Sequence, residues 1–313
     1  MRIFLTGATG VVGQHLVPML VADGHEVVGT TRTPGRAEAL RAAGAEPVLL
    51  DVLDRPAVLD AVAKAEPEVV IHQATALSGA MDLRRFDRSF ATTNRLRTEG
   101  TDTLLEAAGT VGARQLIAQS FTGWPYARTG GPVKTEDDPL DPDPAGNARQ
   151  TLAAIEHLEA AVTGAPGITG TVLRYGAFYG PGTSLARGAE LAEMVRRRRF
   201  PIVGSGAGVF SFCHIEDAAA AAAAAVRTGA GGIFNVVDDE PARVSEWLPV
   251  LAQVLRGPRP RRVPAWLARG LLGGQGMVMM TSARGASNAK AKRELGWTPA
   301  YPSWRDGFRR GLG

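Results

Sequence analysis

The apolar run Ile3-Phe4-Leu5 opens the chain and reads as a strand buried on both faces. A pattern of helical spacing follows from about Val11 to Asp23 and stops at Gly24, a residue suited to ending a helix. The alternation then repeats. Short apolar runs at 26–30, 47–50, 68–74, 115–119 and 170–175 read as strands, and stretches at 36–43, 86–108 and 148–162 read as helices. Strands spaced by helices in this way predict an α/β fold built on a right-handed, doubly wound parallel sheet. From Gly180 the pattern loosens. A helix at 188–198, a short strand at 201–203, an alanine-rich helix at 217–227 and a strand at 234–237 stand out. The apolar stretch Trp266–Met280 is interrupted by glycines at 270, 273, 274 and 276, so it reads as a lid or core helix rather than a membrane contact. Residues 1–180 form the expected sheet domain, with 212–240 returning to it, and 181–313 supply mainly a smaller substrate-binding lobe.

Between the first strand and the first helix stands Thr6-Gly7-Ala8-Thr9-Gly10-Val11-Val12-Gly13. Glycines at 7, 10 and 13 permit a sharp strand-to-helix turn, let a pyrophosphate approach the backbone and let the helix pack close to the sheet. The helix N-terminus offers free N–H groups and a positive dipole end to phosphate. A dinucleotide-binding, Rossmann-type site is therefore expected at Thr6, Gly7, Thr9, Gly10, Val11, Val12 and Gly13. The residue after the second strand selects the cofactor: an acid holds a ribose hydroxyl, whereas an arginine accommodates a 2′-phosphate. The segment Gly29–Arg36 holds no acid but does hold Thr31, Arg32 and Arg36, which favours NADP(H); Arg32 stacking on the adenine is the alternative. Asp51, followed by Val52, is placed for the adenine edge, and Gln73, Ala74 and Thr75 leave the fourth strand at the sheet edge where the dinucleotide is expected. The loop 130–146, rich in proline, acid and glycine, is too long for an idle connector and reads as a flap.

Bulk composition narrows the partners. Of 313 residues, 45% are hydrophobic and 21% charged, which is ordinary for a globular protein. Net charge is +4, yet only four lysines occur and the one dense basic run is Arg196–Arg199, so no nucleic-acid partner is expected. The single cysteine, Cys213, rules out an intrachain disulfide and suits a reducing compartment. Met1 runs straight into the first strand and no apolar run reaches the ~18–20 residues of a bilayer span, so a cytoplasmic chain without membrane attachment is expected. The five histidines show no metal spacing, and no metal is expected.

Several motifs together resemble the extended short-chain dehydrogenase/reductase (SDR) family, the nucleotide-sugar epimerases and dehydratases. They are the glycine loop, Asp51-Val52-Leu53-Asp54, Val70-Ile71-His72-Gln73-Ala74, and Gly100-Thr101 with Leu104-Leu105-Glu106-Ala107-Ala108. Further along come Leu173–Gly182, Phe212-Cys213-His214-Ile215-Glu216-Asp217 and Leu295-Gly296-Trp297-Thr298-Pro299. The resemblance implies a catalytic Tyr with a Lys four residues on: the Tyr handles the proton at the carbinol oxygen, and the Lys lowers its pKa and holds the nicotinamide ribose. This chain has no Tyr-x-x-x-Lys. Matching Glu156 to the family's glutamate puts Ala148 at the Tyr position and Leu152 at the Lys position. The chain therefore resembles an atypical branch.

Three hydroxyls remain as catalytic candidates. Ser120 fits the family's hydroxyl at the end of strand five, Thr122 fits if one counts back four from Tyr126, and Tyr126 is a substitute proton donor. Asn147 and Gln150 are weaker replacements for ribose contacts. The family's diphosphate-clamping Arg is also missing, with Phe210 near its place. Trp124, Phe178 and Phe210 are expected to line an apolar substrate pocket. The leading expectation is an NADPH-dependent reductase of a hydrophobic or aromatic, polyketide-like ketone, acting on a small molecule and, if assembled, a homodimer. The alternatives are a nucleotide-sugar epimerase/dehydratase with altered acid/base groups, and a non-catalytic NADP-binding sensor.

Overall fold

The computed structural model describes residues 1–77 and 82–313. Its first half alternates strand and helix: β1 (Arg2–Thr6), α1 (Gly13–Ala22), β2 (Glu26–Thr31), α2 (Ala37–Ala42), β3 (Glu46–Leu49), α3 (Arg55–Ala65) and β4 (Val69–His72). Next come α4 (Phe86–Ser89), α5 (Ala91–Arg95), a π turn over Leu96–Gly100, α6 (Thr101–Thr110) and β5 (Gln115–Phe121). The short β6 (Val133–Lys134), α7 (Arg149–Thr163), β7 (Thr169–Tyr175) and β8 (Ala177–Tyr179) follow. With the later strand Gly232–Val236, the main sheet is seven-stranded and parallel, in the order Gly232–Val236, β7, β5, β4, β1, β2, β3. This is the doubly wound Rossmann sheet that the alternation predicts. The order reverses between β1 and β4, and the carboxyl ends of these two strands flank the crevice where ligands of such sheets bind.

The sheet is covered on both faces. Ile3, Leu5, Ile117 and Leu173 pack against α1 and the later helix Ile215–Thr228. Eight consecutive alanines, Ala218–Ala225, leave that helix smooth enough to lie close on the sheet. Phe4, Val28, Val70, Leu116 and Val172 face the opposite layer, made by α3, α6 and α7. A separate aromatic core surrounds Phe212, with Phe308 at 5.1 Å and Trp247 at 5.4 Å between ring centroids. Edge-to-face arrangements of this kind are the favoured aromatic geometry.

Two expectations are corrected here. The single helix expected over 86–108 is divided, and its π turn admits one extra residue per turn locally, which rotates Arg97 inward. The segment 130–146 is no loose flap. β6 pairs with Gly285–Ala286, Lys134 bonds Asp138 at 2.9 Å, Arg128 pairs with Asp141 at 2.9 Å, and the backbone N–H of Asn235 donates to Glu136 at 2.7 Å. Near the C-terminus the helix Ala265–Thr281 is kinked at Gly273 (φ 66°). Its first half exposes Trp266, Leu267 and Leu271, and its second half buries Val278 and Met280.

Asp238 follows the last sheet strand and is buried, which pushes its carboxyl up to about 8 despite backbone N–H donors. The folded protein therefore holds a proton there that the unfolded chain releases above about pH 4, so stability falls as pH rises towards 8. Urea midpoints between about pH 5 and pH 9 should decline through this window in the unmodified protein and decline less in Asp238→Asn.

Candidate active site

The glycine loop is shaped by close approach. Gly7 has φ +78°, and a Cβ there would lie 2.6 Å from the Gln73 carbonyl; one at Gly13 would lie 2.4 Å from the Gly7 oxygen. Only glycine allows the loop to press on the end of β4 and on the start of α1. The Gly10 N–H closes the turn on the Gly7 carbonyl at 2.9 Å. Thr6 lies beneath the loop, its hydroxyl 2.9 Å from His72 Nδ1, while His72 Nε2 donates to the Leu96 carbonyl at 3.0 Å. Burial pulls the His72 pKa down to about 4, so the imidazole is a neutral bridge between β1, β4 and the π turn. Val12 is buried behind the loop, whereas Thr9 and Val11 are half-buried and Gly10 is exposed.

At the end of β2, Thr31 and Arg36 come to the loop. The Thr9 hydroxyl donates to Thr31 Oγ1 at 3.4 Å, and Arg36 Nη1 donates to the Thr9 carbonyl at 3.3 Å. Arg32 is exposed beside them. Asp51 is exposed, its Oδ1 accepting from the Leu53 N–H at 3.0 Å, and Val52 is buried against Gly100. On the other side of the crevice Gln73 is buried, with Ala74 and Thr75 half-buried after it. Gln73 Nε2 donates to the Tyr175 hydroxyl at 3.2 Å, and its Oε1 has no partner. Orphaned buried polar atoms beside a loop stripped of Cβ atoms fit a bound dinucleotide.

The three candidate hydroxyls join one buried network. Ser120 Oγ donates to Glu159 at 2.8 Å, and the Glu159 carboxylate takes two further bonds from Arg174, at 2.8 and 2.6 Å. Arg174 also donates to the Tyr126 hydroxyl at 3.0 Å; Tyr126 and Thr122 both donate to Asn235 Oδ1, at 2.8 and 2.9 Å. Burial raises the Tyr126 phenol above its ordinary value. Of the three, Thr122 lines an apolar pocket with Trp124, Ala177, Phe210, Met279 and Ala283. Phe178 does not join Trp124 and Phe210 there. Neighbouring residues on a strand point to opposite faces, so with Ala177 in the pocket Phe178 turns away, 5.3 Å from the Tyr175 ring.

The positions aligned with the family's Tyr and Lys are sealed by carbon. Ala148 and Leu152 are buried with Phe86, Phe90, Trp124 and Ala283, and Phe86 meets Trp124 edge to face at 5.3 Å. Asn147 is occupied elsewhere, donating to the Leu83 and Arg84 carbonyls and accepting from the Gln275 N–H. The Gln150 N–H donates to Asp87 at 3.2 Å. Among the described residues no three His, Cys, Asp or Glu side chains gather as a metal site, and no helix is long and apolar enough to cross a membrane. Cys213 is buried and its thiol is pushed well up by burial, which leaves it unreactive.

The profile of the NAD-dependent epimerase/dehydratase family matches residues 3–236. The chain belongs to this family. It is 48% identical over 316 residues, 99% of this chain and 100% of the other, to a 3-diazoavenalumate denitrifying reductase from a Streptomyces species. It is 29% identical, over 81% of this chain and 73% of the other, to a 4-hydroxy-2-methyl-3-oxo-4-farnesyl-3,4-dihydroquinoline-1-oxide ketoreductase from Stigmatella aurantiaca. Its fold matches that of a UDP-glucose 4-epimerase from Thermotoga maritima with a TM-score of 0.78 at 22% identity, covering 100% of this chain and 97% of the other. The chain is thus an SDR-family reductase, an NAD(P)-dependent oxidoreductase. Glu159, Arg174 and Asn235 are the partners of the candidate hydroxyls that motif reading does not pair with them, because nothing in their local sequence joins them.

Removing one partner of a buried ion pair strands the other charge, at a cost of about 3–5 kcal/mol. Glu159→Ala should lower stability by that order, and the double variant Glu159→Leu/Arg174→Met should lose less than the single one, both read from urea denaturation.

Proposed function

We propose that this chain is an NADPH-dependent reductase of an aromatic compound that accepts hydride without a proton from the protein. The sealing of the acid position carries this reading: Ala148 and Leu152 are buried in an apolar cluster where the family keeps its Tyr and Lys. A ketone becoming an alkoxide needs a proton at once. An aromatic diazo group does not. Hydride added to the terminal nitrogen of an aryldiazonium gives the diazene Ar–N=NH. Its hydrogen passes to the ring carbon as the C–N bond breaks, leaving Ar–H and N2, with both electrons of the hydride accounted for. The relative named for denitrifying reduction of a diazo acid supports this substrate class. When bound, the nicotinamide supplies the hydride.

The chain's own residues bind and orient. Trp124, Phe210, Ala177 and Ala283 line one apolar pocket, which suits an aromatic ring, and Thr122 and Ser211 are its polar lining residues. Val209, Phe210, Ser211, Met279 and Ala283 come from beyond residue 180, which supports the reading of 181–313 as mainly a substrate lobe on the dinucleotide domain 1–180. Thr31, Arg32 and Arg36, with no acid between Gly29 and Arg36, support NADPH over NADH. An aromatic ketone is the second reading, favoured by Thr122 in the pocket wall and by the relative named as a ketoreductase. There Thr122 would turn its hydroxyl proton from Asn235 to the carbonyl and polarise it, and water would supply the proton.

Calorimetry should show tighter binding of NADPH than of NADH. Arg32→Ala/Arg36→Ala should weaken NADPH by about 10–100-fold, the worth of one charged hydrogen bond, and leave NADH unchanged. With NADPH, an ortho-diazo phenol should be consumed with release of N2, and Tyr126→Phe should retain that turnover. Turnover of aryl ketones with none of the diazo compound would instead establish the second reading.

A further inference from the structure

Three cationic side chains are buried among the described residues: Lys134, Arg174 and Arg97, each 4–5% exposed. Lys134 is paired with Asp138 at 2.9 Å, and Arg174 with Glu159 at 2.6 Å. Arg97 differs. Its Nη1 is shut away from solvent with no hydrogen-bond partner. Glu159 is the carboxylate whose charge it feels, and Glu159 is already taken by Arg174 and Ser120. Burial lowers the Arg97 pKa to about 10, which still leaves the guanidinium charged at neutral pH. An unpaired buried charge is strongly unfavourable, and its persistence points to a ligand that completes it.

The position says which ligand. Arg97 sits in the π turn, directly after Leu96, whose carbonyl accepts from His72. His72 in turn meets Thr6, the residue before the glycine loop. The guanidinium lies 5.8 Å from the centre of the Phe90 ring, and Phe90 packs in the cluster that contains Ala148 and Leu152. Arg97 thus lies close enough to His72 at the end of β4 for its charge to be felt there, and against the aromatic cluster that fills the Tyr and Lys positions of the family. Leu152 can bind no oxygen there, whereas Arg97 carries five donors on a planar fork.

We propose that Arg97 anchors the nicotinamide half of the cofactor, through its ribose hydroxyls and adjoining phosphate, and so takes over the holding role lost with the lysine at position 152. The proposal rests on the reading of the crevice as a dinucleotide site. It also accounts for the π turn, since a regular helix would carry residue 97 to another face.

The test compares NADPH with adenosine 2′,5′-bisphosphate, which has the adenine half and its 2′-phosphate but no nicotinamide ribose. Arg97→Met keeps the aliphatic stem and removes the charge. The variant should bind NADPH at least about 10-fold more weakly, the loss of one charge-assisted contact. It should bind the bisphosphate as the unmodified chain does. Its cofactor-free Tm should be equal or higher, because an unpaired charge has left the interior, while the Tm rise on adding NADPH should shrink. Arg97→Lys should recover part of the NADPH affinity. If the unmodified chain prefers NADH, the same comparison runs with NADH and AMP. Unchanged dinucleotide affinity in Arg97→Met overturns the proposal and leaves the dinucleotide site standing. Equal loss of both probes, or a lowered cofactor-free Tm, assigns Arg97 to the scaffold instead. Failure of the unmodified chain to bind either dinucleotide removes the underlying reading along with it.

Discussion

Arg174 reaches Glu159 through two hydrogen bonds and Tyr126 through a third, and so ties β7 to α7 and to the segment that leaves β5. Asn235 extends the tie to the last strand of the sheet, and its own N–H is bonded to Glu136 in the 130–146 segment. Two charges taken out of water are tolerated only when their geometry is good and their remaining lone pairs and protons are satisfied. That demand is met by residues from five stretches of chain. Sliding α7 by one turn would leave a carboxylate and a guanidinium unpaired in the interior, so the pair sets the register of α7 on the sheet. With that register set, Ala148 and Leu152 face Phe86, Phe90 and Trp124, and the site inherits its apolar back wall.

Two buried arginines, Arg174 and Arg97, thus play opposite parts. One has a partner at each of its three nitrogens and belongs to the scaffold. The other has a buried nitrogen without a partner. Hydroxyls that family reasoning marks as catalytic divide in a similar way: Ser120 is a link within the network, while Thr122 touches both the network and the pocket. Under the proposed function, such a site acts through placement and exclusion of water rather than through an acid poised at the reacting atom.

Most of the fold was legible in the sequence because its signals are local. A glycine loop needs only eight consecutive residues to announce itself, and an apolar strand only four or five. The approach of Thr31 and Arg36 to the glycine loop was legible for the same reason, since Thr31 ends β2, Arg36 follows soon after and the loop follows the strand beside it. The network was not. Glu159 and Asn235 meet Ser120, Thr122 and Tyr126 across as many as 113 positions, and neither is marked by its neighbours in sequence. Arg97 was hidden by its company, a helix rich in exposed arginines, and by the π turn, which shifts the helical phase by one residue and leaves no mark in composition. Phe178 was misplaced because a strand of three residues is too short for its facing to be read.

The kinked helix at Ala265–Thr281 leaves Trp266 79% exposed, while Trp124, Trp247, Trp297 and Trp304 are each no more than 7% exposed. The protein therefore carries two optically distinct kinds of indole. Trp266 emits from water and is open to collisional quenchers, and the other four emit from a dry interior. Trp124 stands in the wall of the apolar pocket, so its emission is the one that an aromatic occupant would quench. Ligand entry can thus be followed by light in the unlabelled protein, with the solvent-facing indole as its internal reference.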